Sequence, residues 1–318
     1  MISGKNILLT GGAGFIGSNM AQYLHGKNHV TVLDDFSEGT SSNESRLKEM
    51  DSVKIIRGDI TNTKTFEKLH DQYDLVIHLA ANSDVRTGSE YTGKDMDINV
   101  MGTYNVLEFM KNGKIGEIMF SSSSTVYGEA SIIPTPENYG PLLPISSYGA
   151  SKLADEGFLW AYYHYYGIRP VIYRFANIVG RNSTHGVIHD FMNKLQKNPH
   201  ELEILGDGTQ EKSYMHVDDC IGAMMKIYEN TTKGEVVNLG NTTRTSVKSI
   251  ADMVCSTMGL HDVKYKFTGG IDGRGWKGDI KIAQLSIERM HSHGWSNIMG
   301  SDDAVLKASQ EIYNQRVS

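Results

Sequence analysis

The chain has 318 residues, 39% of them hydrophobic and 21% charged, with a net charge of −6. That length accommodates one large α/β unit with a smaller lobe, and an acidic balance with no basic run argues against a nucleic-acid partner. Cys220 and Cys255 lack metal-ligand spacing, and no apolar run approaches the ~20 residues of a membrane span. With no charged-then-apolar leader ahead of the first strand, a cytoplasmic protein without disulfide, metal or membrane partner is expected.

In chain order, residues 6–10 read as a short buried strand and 18–25 as a helix, with Gly11-Gly-Ala-Gly14-Phe15-Ile16-Gly17 between them. Gly11 allows a tight turn, Gly14 lets the backbone approach a pyrophosphate, and Gly17 lets the helix pack closely on the strand. Phosphates then meet the backbone N–H groups of the helix start, aided by the helix dipole. Residues 29–33 form the next strand, which ends at Asp34-Asp35. An acid about 20 residues past the glycines accepts adenosine ribose hydroxyls and repels a 2′-phosphate, so Asp34 points to NAD over NADP.

A polar excursion with a short helix fills 37–51, and 53–57 is a third strand, followed by Asp59 and Ile60 within reach of an adenine ring. Residues 61–70 read as a helix and 74–78 as a fourth strand. Leu79, Ala80, Ala81 and Asn82 follow at its C-terminal end, where ligands of open parallel sheets gather. Ser83 to Arg86 is a polar segment close by, either a substrate contact or a plain loop. Residues 95–111 read as a long helix with Asn99 in its first turns, exposed or bracing the neighbouring strand ends. The fifth strand, 115–120, delivers a Ser/Thr run from Ser121 to Thr125.

Tyr148 and Lys152 are four apart within a helix over 147–166, so they share one face. A phenol titrates near pH ~10 and needs a neighbouring cation to act as a base at neutrality. Lys152 can supply that charge, Tyr148 is a candidate proton shuttle, and Ser123 can share the same substrate proton. A sixth strand, 170–175, follows.

From Ala176 the texture changes: 177–186 reads as a long polar loop, 187–196 as a helix, 202–205 as a strand and 206–210 as a turn. Then come a helix over 217–229, a strand over 235–239, a helix over 247–258, a strand near Val263, the motif Arg274-Gly-Trp-Lys-Gly-Asp279 and terminal helices. The alternation through residue 175 implies an α/β fold with a doubly wound parallel (Rossmann) sheet. Residues 1–176 with about 216–240 are expected to form the NAD-binding domain, and 177–215 with 241–318 a smaller C-terminal substrate-binding lobe.

The glycine motif, Asp34, Ser123, Tyr148 and Lys152, in that order, resemble the extended short-chain dehydrogenase/reductase family, and within it the nucleotide-sugar epimerases, above all the UDP-glucose 4-epimerases. Phe120-Ser-Ser-Ser-Ser-Thr-Val-Tyr-Gly128, Arg174-Phe-Ala-Asn177 and His216-Val-Asp-Asp219 carry the likeness through most of the chain. The resemblance implies NAD as resident cofactor, a UDP-sugar substrate, a homodimer through helices 95–111 and 147–166, and Tyr148 as acid/base with Ser123 and Lys152. It places Gly11, Gly14, Phe15, Ile16, Gly17, Asp34 and Asp35 at the cofactor. Asp59, Ile60, Leu79, Ala80, Ala81, Asn99 and Ser121 join them, with Lys152 on the nicotinamide ribose. For the substrate it implies Ser83, Arg86, Asn177, Val187, Lys212, Arg274 and Asp279 beside Ser123 and Tyr148.

Two departures stand out. Lys212, a point charge, occupies a place where the family usually has an arginine, and Trp276 stands where its late phosphate-binding arginine often lies, with Arg274 nearby as a substitute. A 4,6-dehydratase of this family would carry Asp-Glu where the chain has Ser124-Thr125, and hydroxyls cannot replace those carboxyl groups. Decarboxylases of the family usually have a Glu there, also missing. The expectation is a UDP-glucose/UDP-galactose 4-epimerase; the alternatives are a 4-epimerase of UDP-GlcNAc or UDP-glucuronate, another nucleotide-sugar-modifying enzyme of the same family, and, more remotely, a catalytically silent NAD-sensing regulator.

Overall fold

Short runs of Ile, Leu, Val and Met build the central sheet of the computed structural model, which describes residues 2–39, 41–83, 91–270, 272–276 and 279–317. The first six strands are β1 (Asn6–Thr10), β2 (His29–Asp34), β3 (Val53–Arg57), β4 (Leu75–His78), β5 (Glu117–Ser123) and β6 (Arg169–Phe175). Successive side chains along a strand point to opposite faces, and the sequence obeys this on both sides. Ile7 and Leu9 of β1, Leu75 and Ile77 of β4, and Val171 and Tyr173 of β6 enter one apolar cluster. The intervening Leu8, Val76 and Ile172 enter the opposite one. Each such side chain, removed from water, contributes on the order of 1.5–3 kcal/mol.

Helices cover both faces. α1 (Phe15–Leu24) follows β1 and α2 (Ser41–Lys48) follows β2. After β4 comes one continuous rod made of α3 (Gly93–Asp95), a π-helical stretch Met96–Met101 and α4 (Gly102–Gly113). α5 (Ser147–Tyr166) starts where the Ser146 side chain accepts the Gly149 N–H, and stops at Gly167, whose φ of 72° is the left-handed conformation a helix end favours.

The later chain crosses between regions. β7 (Asn177–Val179) pairs in parallel with β10 (Tyr214–His216), beyond α6 (Val187–Lys197), β8 (Glu201–Ile204) and β9 (Glu211–Lys212). α7 (Val217–Asn230) then leads to β11 (Glu235–Leu239), which rejoins the main sheet beside β6. The completed parallel sheet runs β11-β6-β5-β4-β1-β2-β3. β12 (Thr245–Ser246), α8 (Val247–Thr257), β13 (Lys264–Phe267), β14 (Ile282–Ala283), α9 (Glu288–Ser292) and α10 (Ser301–Val317) complete the chain. α6, α8 and α10 share an apolar cluster of their own.

The Rossmann sheet is therefore as expected, with three local corrections. The expected helix over 61–70 is a single 3-10 stretch, Thr63–Lys68, capped by the Asn62 side chain. The polar loop expected over 177–186 contains β7, whose pairing depends on a partner far along the chain. α1 begins at Phe15, before the expected start at Ser18, because Gly14 serves as N-cap without any side-chain cap. Among the described residues no helix is long and apolar enough to cross a membrane.

Candidate active site

β1 lies between β4 and β2, so the chain turns opposite ways on its two sides and a crevice opens at the strands' C-terminal ends. A cavity of about 680 Å³ fills it, running from the glycine loop past Tyr148 to the α6–α8 region.

At one end stand the three glycines. Gly11 has a φ of 71°, and a Cβ there would lie 2.6 Å from the Ala80 nitrogen. A Cβ on Gly17 would lie 2.0 Å from the Gly11 carbonyl, so α1 packs on β1 only because that atom is missing. At Gly14 the same atom would meet nothing nearer than the Gly11 oxygen at 3.3 Å. With no side chain capping α1, its first N–H groups remain for a ligand. Asp34 Oδ2 accepts the Ala13 N–H at 2.9 Å and Oδ1 the Phe36 N–H at 2.8 Å, which ties the end of β2 to the glycine loop. Burial pushes this carboxyl up against those two hydrogen bonds. Phe15, Ile16, Asp35, Asp59, Ile60 and Leu79 also line the cavity, as do Ala80, Ala81, Ser83 and Ser121.

In the middle, β5 ends at Ser123, whose hydroxyl lies beside the Tyr148 phenol on the cavity wall. Lys152 lies one helical turn below, almost fully buried, with Nζ 4.7 Å above the Phe120 ring and 6.0 Å from the Tyr148 ring centre. Among the described residues its ammonium has no hydrogen-bond partner. Such a group in a dry site is costly unless something meets it. Burial pulls Lys152 below the usual lysine range, against the pull of Asp155, Asp95 and Glu156.

Tyr148 differs from expectation. Burial pushes its phenol up to about 12, the nearby Ser123 hydroxyl opposes this, and Asp155 and Asp95 push it further up. The anions that surround Lys152 offset its field at the phenol, so the lysine alone does not make Tyr148 acidic.

At the far end, Asn177 donates to the Ser213 carbonyl at 3.2 Å and Val187 opens α6. Lys212 Nζ reaches Asp279 Oδ1 at 2.6 Å and sits 5.1 Å from the Trp276 ring centre. Asn177, Val187, Lys212, Trp276 and Asp279 all line the cavity.

Two expected contacts lie elsewhere. Asn99, 1% exposed, accepts the Asn82 N–H and donates to Ser151, so it braces the β4 end against α5 from behind the cavity wall. Arg274 is drawn away by Glu129 and the Asp279 carbonyl and is not part of the lining, which leaves Trp276 facing the cavity. Arg86 lies outside the described residues. Arg181 is held by Asp218 at 2.6 Å, whereas His185 lines the cavity. The lining also contains His189, which carries no sequence signal of its own. His216, Asp218 and Glu311 bring metal-ligating atoms within 4.8 Å of one another. Arg181 and Lys307 already bind that carboxylate cluster, so it is an ion-pair network linking α7 to α10.

Residues 7–240 match the NAD dependent epimerase/dehydratase family. The chain belongs to that family. A Methanocaldococcus jannaschii protein with the provisional name UDP-glucose 4-epimerase is 34% identical over 295 residues, 91% of this chain and 92% of the relative. A UDP-galactose 4-epimerase structure superposes with a TM-score of 0.86 at 32% identity, covering 98% of this chain and 99% of that one. The Bacillus cereus UDP-glucuronic acid 4-epimerase, solved with UDP-glucuronic acid and NAD, gives 0.87 at 30% identity, covering 98% and 99%. The protein is thus a nucleotide-sugar enzyme of the epimerase/dehydratase family, and its cofactor is NAD. The cradle a Cβ would fill at Gly11 and Gly17, and the orphaned Lys152 ammonium, fit a dinucleotide.

Proposed function

We propose that this family member is a 4-epimerase interconverting UDP-glucose and UDP-galactose through a transient 4-keto sugar. The observation that carries the reading is the Ser123, Tyr148 and Lys152 set brought together on the cavity wall, with Ser124 and Thr125 where a dehydratase needs carboxyl groups. Of the lining acids, Asp34, Asp35, Glu38 and Asp59 sit at or beyond the ends of β2 and β3, with β1 and β4 between them and β5, and Asp190 of α6 is paired with Lys194. Asp279 is bound to Lys212. These placements favour a reaction confined to one carbon.

Bound NAD would supply reversible hydride exchange with the sugar C4, and its oxidised ring would add a positive charge to the cavity. Tyr148 takes the proton of the 4-hydroxyl and later gives it back, so the cycle is neutral in protons. Ser123 holds the phenol and shares that proton. Lys152 holds a ribose hydroxyl and stabilises the phenolate. Asn177, Val187, Lys212 and Asp279 anchor the nucleotide half while the ketose turns to present its other face. Positioning supplies much of the rate.

Among the described residues no arginine lines the cavity, and its lysines are Lys94, which faces Glu38, with Lys152 and Lys212. Among the described residues Lys152 is engaged below Tyr148 and Lys212 is bound to Asp279, so neither lysine is free for a uronate carboxylate, which supports a neutral hexose. Residues 1–176 with about 216–240 form the NAD-binding domain in this reading, and the remainder the sugar-nucleotide lobe. Met101, Tyr104, Phe158 and Tyr165 are exposed on α4, α5 and the π-helical stretch, with Tyr104 and Phe158 in edge contact at 6.3 Å. They support a homodimer through this face. The free, buried Cys220 and Cys255 support a reducing, cytoplasmic setting.

The test is incubation with UDP-glucose, UDP-GlcNAc and UDP-glucuronate separately, without added cofactor, read by proton NMR. UDP-galactose from the first is the expected result. Epimerisation of another sugar alone would reassign the substrate, and no turnover with any, even after adding NAD, would contradict the epimerase reading.

A further inference from the structure

α5 carries a third ionisable side chain on the face that holds Tyr148 and Lys152. Positions 148, 152 and 155 lie within about 60° of one another around a helix of 3.6 residues per turn, so Asp155 continues the same stripe one turn deeper. Asp155 is 0% exposed, and neither carboxylate oxygen makes a full hydrogen bond. Burial pushes it up to about 7, opposed by Lys152 and by the Thr103 hydroxyl.

The neighbours of this pair are specific. On α5 itself, Glu156 is committed to Arg174 of β6 at 2.6 Å and to the Ser122 hydroxyl of β5. Asp95, at the end of α3, is committed to the Asn82 amide and the Ser147 hydroxyl. From β5 the Phe120 ring lies under the ammonium. From α4 comes Thr103, whose hydroxyl meets His78 Nε2 at 3.0 Å. His78 of β4 is neutral and bonded through Nδ1 to Thr10 at 2.6 Å. Asp95 and Glu156 thus have their own partners, and Asp155 is the acid left to answer Lys152.

We propose that Asp155 is a positioning residue of this active site, the buried counter-charge that keeps the Lys152 ammonium ionised and sets the charge around Tyr148. It touches neither cofactor nor substrate. With its carboxylate ionised, Lys152 stays cationic and the phenol is harder to deprotonate. With one proton added to that carboxylate, both groups become more acidic together. The inference rests on Tyr148 and Lys152 acting as proposed above.

The test uses Asp155→Asn, which keeps shape and removes the charge, in the NAD-loaded enzyme. In the NAD-loaded enzyme, where the cofactor's positive charge would lower the phenol, the acid limb of the pH–rate profile follows Tyr148 and the basic limb Lys152. Both should move to lower pH by about one unit or more, the size expected for removing one charge from a buried site. Lower activity with both limbs at their wild-type positions would overturn the proposal, because a merely structural role changes height without moving the limbs. A second measurement needs no turnover. Carboxyl-carbon NMR of the wild-type protein should show one aspartate titrating at about 7, moved upward by Thr103→Val. Aspartates that all titrate near ~4, or a neutral-range titration insensitive to Thr103→Val, would overturn the inference even if the epimerase reading stands.

Discussion

Lys212 Nζ lies 2.6 Å from Asp279 Oδ1 in the far half of the cavity, and Asp279 is only 2% exposed. The second Asp279 oxygen takes the Gly275 N–H at 3.0 Å, so the acid fixes both the cation and the turn that presents Trp276. Lys212→Ala should therefore raise KM for the UDP-sugar by about 10-fold or more, the size of a lost charge-assisted hydrogen bond, with a smaller change in kcat. Steady-state kinetics decides this; an unchanged KM would remove Lys212 from the diphosphate.

Tyr148→Phe keeps the ring in place and deletes the hydroxyl beside Ser123. It should reduce kcat by about 10²–10⁴, the range for loss of one general acid–base group. NAD content of the purified protein, measured after denaturation, should be unchanged. Near-wild-type turnover would rule out the proton shuttle.

Asp34 braces the glycine loop through Ala13 as well as facing the cavity. Asp34→Ala should weaken NAD by about 10-fold, since a charged acceptor is lost, and narrow the preference over NADP. Paired titrations with the two cofactors measure it, and an unaltered ratio would take Asp34 off the ribose.

His78 bears on stability. Burial, with a smaller contribution from Lys152, pulls it from 6.5 to about 3. Between those values the unfolded chain holds a proton that the fold refuses, so this histidine's contribution to stability declines as pH falls through that window. In His78→Gln, which carries no titrating group, the melting temperature should depend less steeply on pH there. Equal slopes in both proteins would show that His78 does not titrate in this way.

Much of this architecture is legible in the chain because its signals are local. β1 and β11 match their expected bounds, α5 is bracketed by Ser146 and Gly167, and the glycine loop needs only its own spacing. β7 is not legible, since a three-residue strand exists only through β10, far along the sequence. Asn99 and Arg274 show a different limit: residue type and position identify a polar or cationic group near the site, but Asn82 and Glu129 decide which way each one points. Trp276, noted in the sequence as a departure, is the side chain that faces the cavity instead. The seven-residue spacing from Tyr148 to Asp155 was readable in the helix, though only burial gives it significance.

The central claim is a reaction confined to the sugar C4, and UDP-glucose carrying deuterium at C4 tests it most directly. With the NAD-loaded enzyme in ordinary water, the expected product is UDP-galactose with the deuterium still at C4. Deuterium appearing at C6, or incorporation at C5 when the reaction is run in heavy water, would mean dehydratase chemistry and contradict it.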